Sequence, residues 1–297
     1  MQIDKNLLTK DIFLMNLTSP SVIRDLMTRH GITFKKKYGQ NFLISDAVPR
    51  AIADVCAASG CENVIEIGPG IGTMTVCLCE RFKSVIAVEI DEKLIPVLNE
   101  TTAEYNNLEI INDDILNVDL ASLCGDRFGG EKAAVCANLP YYITTPIIMA
   151  LLTAHAPIVS MTLMMQKEVA DRLLAKPGTS EYGAVTVALD LYATAEKHFN
   201  VPKGAFLPAP KVTSTVITIK PRQSPLFPDG YEEKVRSLVR AAFSQRRKTL
   251  INALSAGGFS KEKVENALSS LGIEADTRGE RLSAEEFVSL ARELESI

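Results

Sequence analysis

The chain has 297 residues, 46% of them hydrophobic, and a formal net charge of −4. This length is enough for one large and one small domain, and no apolar run approaches the ~18 residues of a membrane-spanning helix. The first ten residues lack the pattern of a secretory signal peptide, so we expect a cytoplasmic protein. The six cysteines form no C-x-x-C pair and the three histidines show no metal-ligand spacing, which favours reduced core thiols and predicts no metal site.

Positive charge is concentrated in two parts of the chain. Between Lys203 and Lys248 there are ten Lys or Arg residues against three Asp or Glu residues. Between Arg24 and Lys37 there are five bases against one acid. Such clustering is typical of nucleic-acid binding, but solvated helix faces also produce it. Charge alone therefore leaves both interpretations open.

The N-terminal part of the chain ends in a basic loop. Residues 1–18 show no clean periodicity and are predicted to be an N-terminal extension, and a short helix is predicted before Gly31. Residues 34–43 combine three lysines with aromatic and amide side chains; the lysines are Lys35, Lys36 and Lys37. This mixture suits a loop at a ligand or RNA edge, and a solvated basic loop has the same composition.

Residues 64–72 predict a buried strand that runs into a glycine-rich turn. Gly68, Gly70 and Gly72 remove side chains that would keep a ligand from the backbone, and the amides of the next helix can donate to a polar group. The spacing G-x-G-x-G, with an acid two residues before it, differs from the dinucleotide fingerprint and resembles the first motif of S-adenosylmethionine-dependent methyltransferases. A tight turn without a ligand is the alternative.

Three further predicted strands bring polar residues to the same edge of the sheet. Residues 84–89 form a β-branched strand that ends in Glu89, whose carboxylate can accept both hydroxyls of a ribose. A strand at 108–111 is followed by Asp114, which is placed to accept from an adenine amine. A strand at 133–137 leads into Asn138.

The tetrapeptide Asn138-Leu139-Pro140-Tyr141 is the most specific signal in the sequence. An exocyclic adenine amine is a poor nucleophile because its lone pair is delocalised into the ring. The Asn138 amide oxygen and a main-chain carbonyl of the Leu139-Pro140 segment can accept its two hydrogens, and Tyr141 offers a ring on which the base can lie. The sequence therefore predicts methylation of an adenine amine without a strong base.

Six segments together resemble the ribosomal RNA adenine dimethyltransferase family. They are residues 39–43 (GQNFL), 66–70 (EIGPG), 88–91 (VEID), 138–141 (NLPY), 166–173 (QKEVADRL) and 208–214 (PAPKVTS). Within the family the chain is most similar to the bacterial small-subunit (16S) members, whose loss is associated with kasugamycin resistance. The resemblance implies S-adenosyl-L-methionine as cofactor, dimethylation of two adjacent adenosines near the 3' end of 16S ribosomal RNA, a pre-30S particle as partner, and a role in small-subunit biogenesis.

The resemblance also assigns individual residues. The cofactor residues are Asn41 and Leu43 in the N-terminal loop, Gly68 at the methionine part, Gly70 in the same turn, Glu89 at the ribose, Asp114 at the adenine and Asn138 at the methyl group. Phe206 is the second aromatic, opposite Tyr141 across a flipped base. A buried phenylalanine beside prolines is the alternative for Phe206.

The second half of the chain is predicted to close the sheet and then become helical. An antiparallel pair of strands is predicted at residues 190–201 and 212–220. A turn-rich loop at an RNA edge is predicted at residues 176–183. A linker at residues 221–230 marks the change to helices. We predict an α/β class I (Rossmann-like) methyltransferase domain at residues 19–222 and an all-α RNA-docking domain at residues 223–297, in a monomer without a membrane partner. The bases assigned to RNA are Lys35, Lys36, Lys37, Lys211, Arg246, Arg247 and Lys248.

Three other functions fit parts of this pattern. The first is a large-subunit adenosine methyltransferase of the macrolide-resistance type. The second is a non-catalytic assembly or transcription factor that keeps the fold, against which the intact Asn138 and Tyr141 argue. The third is a nicotinamide-dependent oxidoreductase, which the glycine spacing disfavours.

Overall fold

The structure is a computed structural model that describes residues 15–32, 41–140 and 143–296. The strands in these ranges are β1 (Phe42–Leu43), β2 (Asn63–Ile67), β3 (Ser84–Glu89), β4 (Leu108–Asn112), β5 (Ala133–Asn138), β6 (Ile158–Gln166), β7 (Ala193–Val201), β8 (Phe206–Leu207) and β9 (Ser214–Pro221). The helices are α1 (Pro20–Arg29), α2 (Ala47–Ala57), α3 (Thr75–Cys79), α4 (Ile95–Thr101), α5 (Leu120–Phe128), α6 (Thr144–Thr153), α7 (Lys167–Leu173), α8 (Ala184–Tyr192), α9 (Glu232–Ser244), α10 (Leu250–Ala256), α11 (Lys261–Ser270) and α12 (Ala284–Ser296).

Seven strands form one sheet in the order β4-β3-β2-β5-β6-β9-β7. The pairs from β4 through β6 are parallel, and β9 is antiparallel to β6. Every residue of β2 is buried, as expected for a parallel strand whose two faces are both covered. The predicted α/β class is confirmed.

The sheet changes direction between β2 and β5. After β2 the chain adds β3 and β4 on one side, and it then returns to add β5 and β6 on the other. In open α/β sheets, ligands bind in the crevice at the carboxyl ends of the strands where the order reverses. Because Ile67 is paired with Ala137 in the parallel register, Gly68, which follows β2, and Asn138, which ends β5, both lie at this crevice.

A second, two-stranded sheet fixes the segment around Phe42. β1 and β8 are antiparallel, with Phe42 opposite Leu207 and Leu43 opposite Phe206. The Ile44 amide also donates to the Ala205 carbonyl at 2.8 Å. Residues far apart in sequence therefore determine where the 41–44 segment lies.

The chain divides into two compact units. The first contains the described residues of Met1–Lys167 and Lys197–Ile219, and the second those of Glu168–Glu196 and Lys220–Ile297. The segment 168–196, which the sequence prediction places in the catalytic domain, is thus in the same unit as the C-terminal helices. One reason is that α8 packs against α9 and α12, and the Tyr192 hydroxyl donates to Glu232 at 2.7 Å.

One predicted boundary is wrong: the strand expected to begin at residue 190 begins at Ala193, because residues 190–192 are the end of α8. Val187, Leu189 and Leu191 are buried along α8, and the helix continues to Tyr192. None of the helices in the described ranges has both the length and the hydropathy needed to cross a membrane.

Candidate active site

A cavity that opens to solvent lies at the carboxyl ends of β2, β3 and β5. It brings together six of the seven residues predicted to bind a cofactor, together with Pro140. The six are Asn41, Leu43, Gly68, Gly70, Glu89 and Asn138.

The glycine turn forms one wall of this cavity. Gly68 has a φ of 70° and would have nothing within 4 Å of an added Cβ, so the backbone is open to close approach by a ligand. The Gly68 amide donates to the Val88 carbonyl at 2.9 Å, which fixes the turn to the end of β3. The turn is therefore held by the sheet before any ligand binds.

Gly72 is needed for packing, and its substitution is expected to destabilise the protein. A Cβ at this position would lie 2.9 Å from Thr101 Oγ1 and 3.1 Å from Thr102 Cγ2, at a φ of 88°. Strain and overpacking in Gly72→Ala should together lower the free energy of unfolding by about 3 kcal/mol. Gly60→Ala is the matched control, because Gly60 has a φ of 74° but open space around it, so about 1 kcal/mol is expected. Equal melting temperatures for the two variants would contradict this account.

Glu89 is a buried carboxylate that organises the loop around it. Glu89 is 5% exposed. Its Oε1 accepts a hydrogen bond from the Asp91 amide at 2.8 Å, and its Oε2 accepts one from the Gly70 amide at 3.1 Å. Burial raises the pKa of Glu89, and these backbone hydrogen bonds oppose the shift. Each oxygen keeps acceptor capacity for a further donor, which suits a pair of adjacent hydroxyls.

Glu66 is a cavity residue that the sequence prediction did not assign. It is fully buried, and neither carboxyl oxygen has a hydrogen-bond partner in the described part of the chain. Burial raises its pKa to about 8; the nearby Thr75 hydroxyl opposes this shift, and the negative charge of Glu89 adds to it. A buried carboxyl that faces a cavity without a partner fits the ammonium group of an amino-acid moiety. The only feature of the sequence that could have pointed to Glu66 as a site residue is its position two residues before Gly68.

The raised pKa of Glu66 predicts a pH-dependent stability. Because the folded protein binds this proton more tightly than the unfolded chain, the free energy of unfolding should fall as the pH rises from 4.5 to about 8. Glu66→Gln removes this titration while keeping the side-chain volume, so its melting temperature should exceed wild type at pH values above about 8, by the linkage relation. Exposed Glu92→Gln is the control. If Glu66→Gln shows the wild-type pH profile, Glu66 is not a buried neutral acid.

Asn138 and Leu139 present acceptors at the end of β5. Asn138 Nδ2 lies 3.5 Å from the Asn41 carbonyl, and its Oδ1 has no partner among the described residues. The Pro140 carbonyl accepts from the Ile143 amide at 3.2 Å and from the Thr144 hydroxyl at 3.1 Å. The Leu139 carbonyl has no such partner in the described ranges.

Among the described residues, three predicted catalytic or cofactor-binding residues do not line the cavity: Asp114, Phe206 and Leu139, the last of which is 1% exposed. Asp114 follows β4 at the same edge, but its Oδ1 accepts from the Leu116 amide at 3.0 Å. Phe206 is 3% exposed and packs in the core with Leu43, which is the alternative that the sequence left open. Tyr141 lies outside the described residues. Conversely, Ile90 lines the cavity and is 46% exposed, a combination that strand pattern alone does not reveal.

The predicted RNA-binding bases differ in their surroundings. Lys35, Lys36 and Lys37 lie outside the described residues. Lys211, Arg247 and Lys248 are exposed, and none of these three has an ion pair in the described part of the chain. Arg246 instead uses Nη2 to donate to the carbonyls of Ser180 at 2.9 Å and Tyr182 at 2.7 Å.

Other bases of the segment 203–248 are neutralised within the chain. The pairs are Lys220 with Glu196, Lys234 with Glu295, Arg236 with Glu232 and Arg240 with Glu233. The charge excess counted from the sequence therefore overstates the positive charge available to a partner. All six cysteines are free, five of them buried, and the described residues contain no cluster suited to a metal ion.

Residues 31–296 match a family model described as ribosomal RNA adenine dimethylase. A protein of Geobacillus thermodenitrificans called ribosomal RNA small subunit methyltransferase A is 46% identical over 284 residues, covering 94% of this chain and 97% of its own. A protein of the same name from Alkaliphilus oremlandii is 44% identical over 280 residues, covering 94% and 98%.

Two solved structures share the fold over most of the chain. The crystal structure of the 23S rRNA methyltransferase ErmE has a TM-score of 0.67 and 27% identity, covering 86% of this chain and all of its own. A dimethyladenosine transferase from Plasmodium falciparum has a TM-score of 0.66 and 24% identity, covering 94% and 97%. The second supports the fold alone.

Proposed function

Because this chain belongs to the ribosomal RNA adenine dimethylase family, we propose that it dimethylates small-subunit ribosomal RNA at the cavity between β2 and β5. The enzyme transfers methyl groups from S-adenosyl-L-methionine to the exocyclic amines of two adjacent adenosines near the 3' end of 16S ribosomal RNA, giving N6,N6-dimethyladenosines. The observation that carries the site assignment is the position of Asn138, whose free amide oxygen shares one cavity with Glu66 and Glu89.

The cavity residues fit S-adenosyl-L-methionine in its three parts. Glu89 is suited to the ribose hydroxyls, and Glu66, whose carboxyl oxygens have no hydrogen-bond partner among the described residues, is suited to the ammonium group. The open backbone at Gly68 leaves room for the methionine chain, and Ile90 offers an apolar surface to the adenine. Asp114 stays a predicted contact of the adenine amine, and Asn41 and Leu43 are proposed to close the site from the N-terminal side.

The protein's part in the reaction is to hold and polarise the target amine. The cofactor supplies a methyl group on a sulfonium, which is already electrophilic. Asn138 Oδ1 and the Leu139 carbonyl accept the two amine hydrogens, which holds the nitrogen in line and favours a tetrahedral geometry. After transfer the nitrogen is cationic and loses a proton to solvent. Stacking of the base on Tyr141 stays a prediction.

We further propose a cellular setting for this reaction. The names of the similar proteins from Geobacillus and Alkaliphilus support the small subunit as the substrate. On this basis the enzyme acts as a monomer in the cytoplasm, on a pre-30S particle, and its action contributes to small-subunit biogenesis. Lys211, Arg247 and Lys248 are exposed bases suited to RNA phosphates.

The large-subunit alternative is not favoured. The relatives named for the small subunit are 43–46% identical to this chain, whereas the 23S rRNA methyltransferase ErmE is 27% identical. A non-catalytic assembly factor has no need for the acceptors at Asn138 and Leu139, which have no partner among the described residues. An oxidoreductase is excluded by family membership.

A methylation assay with two substrates tests the proposal. The purified enzyme is given labelled cofactor with either small-subunit particles that lack dimethyladenosine or protein-free 23S RNA. We expect dimethyladenosine, detected by mass spectrometry of RNA fragments, at two adjacent positions in the small-subunit RNA alone. Transfer to 23S RNA alone would support the large-subunit function, and transfer to neither would contradict an enzymatic role.

A further inference from the structure

Gln166 is the last residue of β6 and the first residue of the segment 166–173, to which the proposed function gives no task. Gln166 is partly buried, and its side-chain amide makes no hydrogen bond within the described ranges. A carboxamide carries two N–H donors and one carbonyl acceptor. The side chain of Gln166 therefore keeps its donors for a bound molecule.

The strand register places Gln166 on the same face of the sheet as Asn138. In the pair β5–β6, Asn138 is opposite Met164, and the side chains of paired residues lie on one face. Gln166 follows Met164 by two residues, so its side chain is on that face as well, about 7 Å further along the strand. Because β5 and β6 are parallel, Gln166 and Asn138 lie at the same edge of the sheet.

The same face continues into the segments that close the cavity. Met164 is opposite Val216 of β9, and these two residues are buried in one cluster with Leu43 and Phe206. Leu43 also lines the cavity. Gln166 lies outside the cavity lining, so it is beside the space assigned to the cofactor and not within it.

Hydrogen bonds fix the backbone on both sides of this position. The Lys167 amide, next to Gln166, donates to the Thr213 carbonyl at 2.9 Å. On the other side of β6, the Leu139 amide donates to the Met164 carbonyl at 3.0 Å, which ties the acceptor segment after β5 to the same strand. A polar side chain on a fixed backbone needs little rearrangement to bind a ligand.

We propose that Gln166 donates a hydrogen bond to N1 of the target adenine and thereby helps to select the base. The proposal rests on the proposed function, which makes an adenosine the methyl acceptor. In that reaction Asn138 and Leu139 accept the two amine hydrogens and leave the ring nitrogens without a protein contact. Enzymes that act on a flipped base read its Watson–Crick edge, and on adenine this edge presents the acceptor N1 beside the amine.

The chemistry of the bases explains why a donor is needed at this place. In guanine N1 carries a hydrogen, so the Gln166 donors would meet another donor and both groups would lose a hydrogen bond. The ribose is attached to the five-membered ring of adenine, so N7 is nearer to the RNA backbone and N1 is on the part of the base that faces the protein. The geometry therefore favours N1 over N7 as the acceptor.

Removal of N1 from the substrate tests this contact. Small-subunit particles are assembled with 1-deazaadenosine, in which a C–H group replaces N1, at both target positions. Wild type should methylate them about tenfold more slowly than particles with adenosine, which is the usual effect of one neutral hydrogen bond. Particles with 7-deazaadenosine should react at the normal rate. Equal rates with adenosine and 1-deazaadenosine, or a loss with 7-deazaadenosine alone, would reject the contact to N1.

Gln166→Ala connects the loss to one side chain. This variant should methylate particles with adenosine about tenfold more slowly than wild type. It should show no further loss with 1-deazaadenosine, because the effects of two changes do not add when the changed groups contact each other. Gln223→Ala makes the same substitution at an exposed residue and should discriminate between the two bases as wild type does. The wild-type ratio of rates in Gln166→Ala would show that Gln166 does not contact N1.

Gln166→Glu separates the donor from the size of the side chain. The ionised carboxylate has a similar shape but only acceptors, so at neutral pH this variant should be at least as slow as Gln166→Ala. Wild-type activity in Gln166→Glu would show that no donor is needed at this position and would overturn the proposal.

The two proposals fail in different ways. If wild type transfers no methyl group to small-subunit RNA, the proposed function itself fails. If wild type methylates adenosine and 1-deazaadenosine alike, the role of Gln166 is rejected and the proposed function stands. Cofactor affinity and melting temperature should be unchanged in Gln166→Ala, because the side chain lies outside the cavity lining and makes no hydrogen bond in the described ranges.

Discussion

Replacing Asn138 with alanine is expected to reduce methyl transfer to small-subunit RNA by about 10² to 10³-fold, the usual cost of losing one preorganised polar group at a reacting centre. The Asn138 amide oxygen has no partner among the described residues, so it is available to accept a hydrogen from the target amine. Without it the amine is held only by the Leu139 carbonyl, and the nitrogen is neither fixed in line nor made more tetrahedral.

Binding measurements separate this catalytic role from a structural one. Among the described residues, the Asn138 side chain makes only the long 3.5 Å contact to the Asn41 carbonyl, so the affinities for cofactor and RNA should change by less than about threefold. Asn117→Ala removes an exposed asparagine outside the cavity and should keep full activity. Equal losses of transfer and of cofactor binding in Asn138→Ala would assign Asn138 to the binding site alone.

The parts of the site that the sequence predicted are those encoded by short segments at strand ends. Gly68, Glu89 and Asn138 each come directly after or at the end of a buried strand, and the strands are parallel. Parallel strands end at one edge of a sheet, so strand identity alone placed these residues together. The fold class followed from the same alternation of strands and helices.

The parts that the sequence did not predict depend on contacts between distant segments. Glu66 is inside β2, and only the fold shows that its carboxyl is enclosed without a partner. Phe206 pairs with Leu43 in the two-stranded sheet, and this pairing places its ring in the core. Arg246 belongs to a basic triplet that looks uniform in sequence, yet its guanidinium binds two carbonyls of a loop more than sixty residues away.

Replacing Glu89 with alanine is expected to weaken cofactor binding by at least about 100-fold. Two hydrogen bonds from ribose hydroxyls to a carboxylate contribute about 1.5 to 3 kcal/mol each, and both are lost. The substitution also leaves the Gly70 and Asp91 amides without their acceptor, which should lower the free energy of unfolding by about 1 to 3 kcal/mol. Calorimetric titration with S-adenosyl-L-methionine measures the first effect, and thermal melting of the free protein measures the second.

Glu89→Gln and Glu92→Ala separate the two effects. The carboxamide of Glu89→Gln keeps one acceptor oxygen, so it can serve only one of the two amides and should bind cofactor with intermediate affinity. Glu92 is exposed three residues further along, and its removal should leave the titration unchanged. Because a bound ligand stabilises the folded state in proportion to its affinity, cofactor should raise the melting temperature of Glu92→Ala but not that of Glu89→Ala. A folded Glu89→Ala protein with wild-type affinity would place the ribose elsewhere, and with it the cofactor that Asn138 is proposed to face.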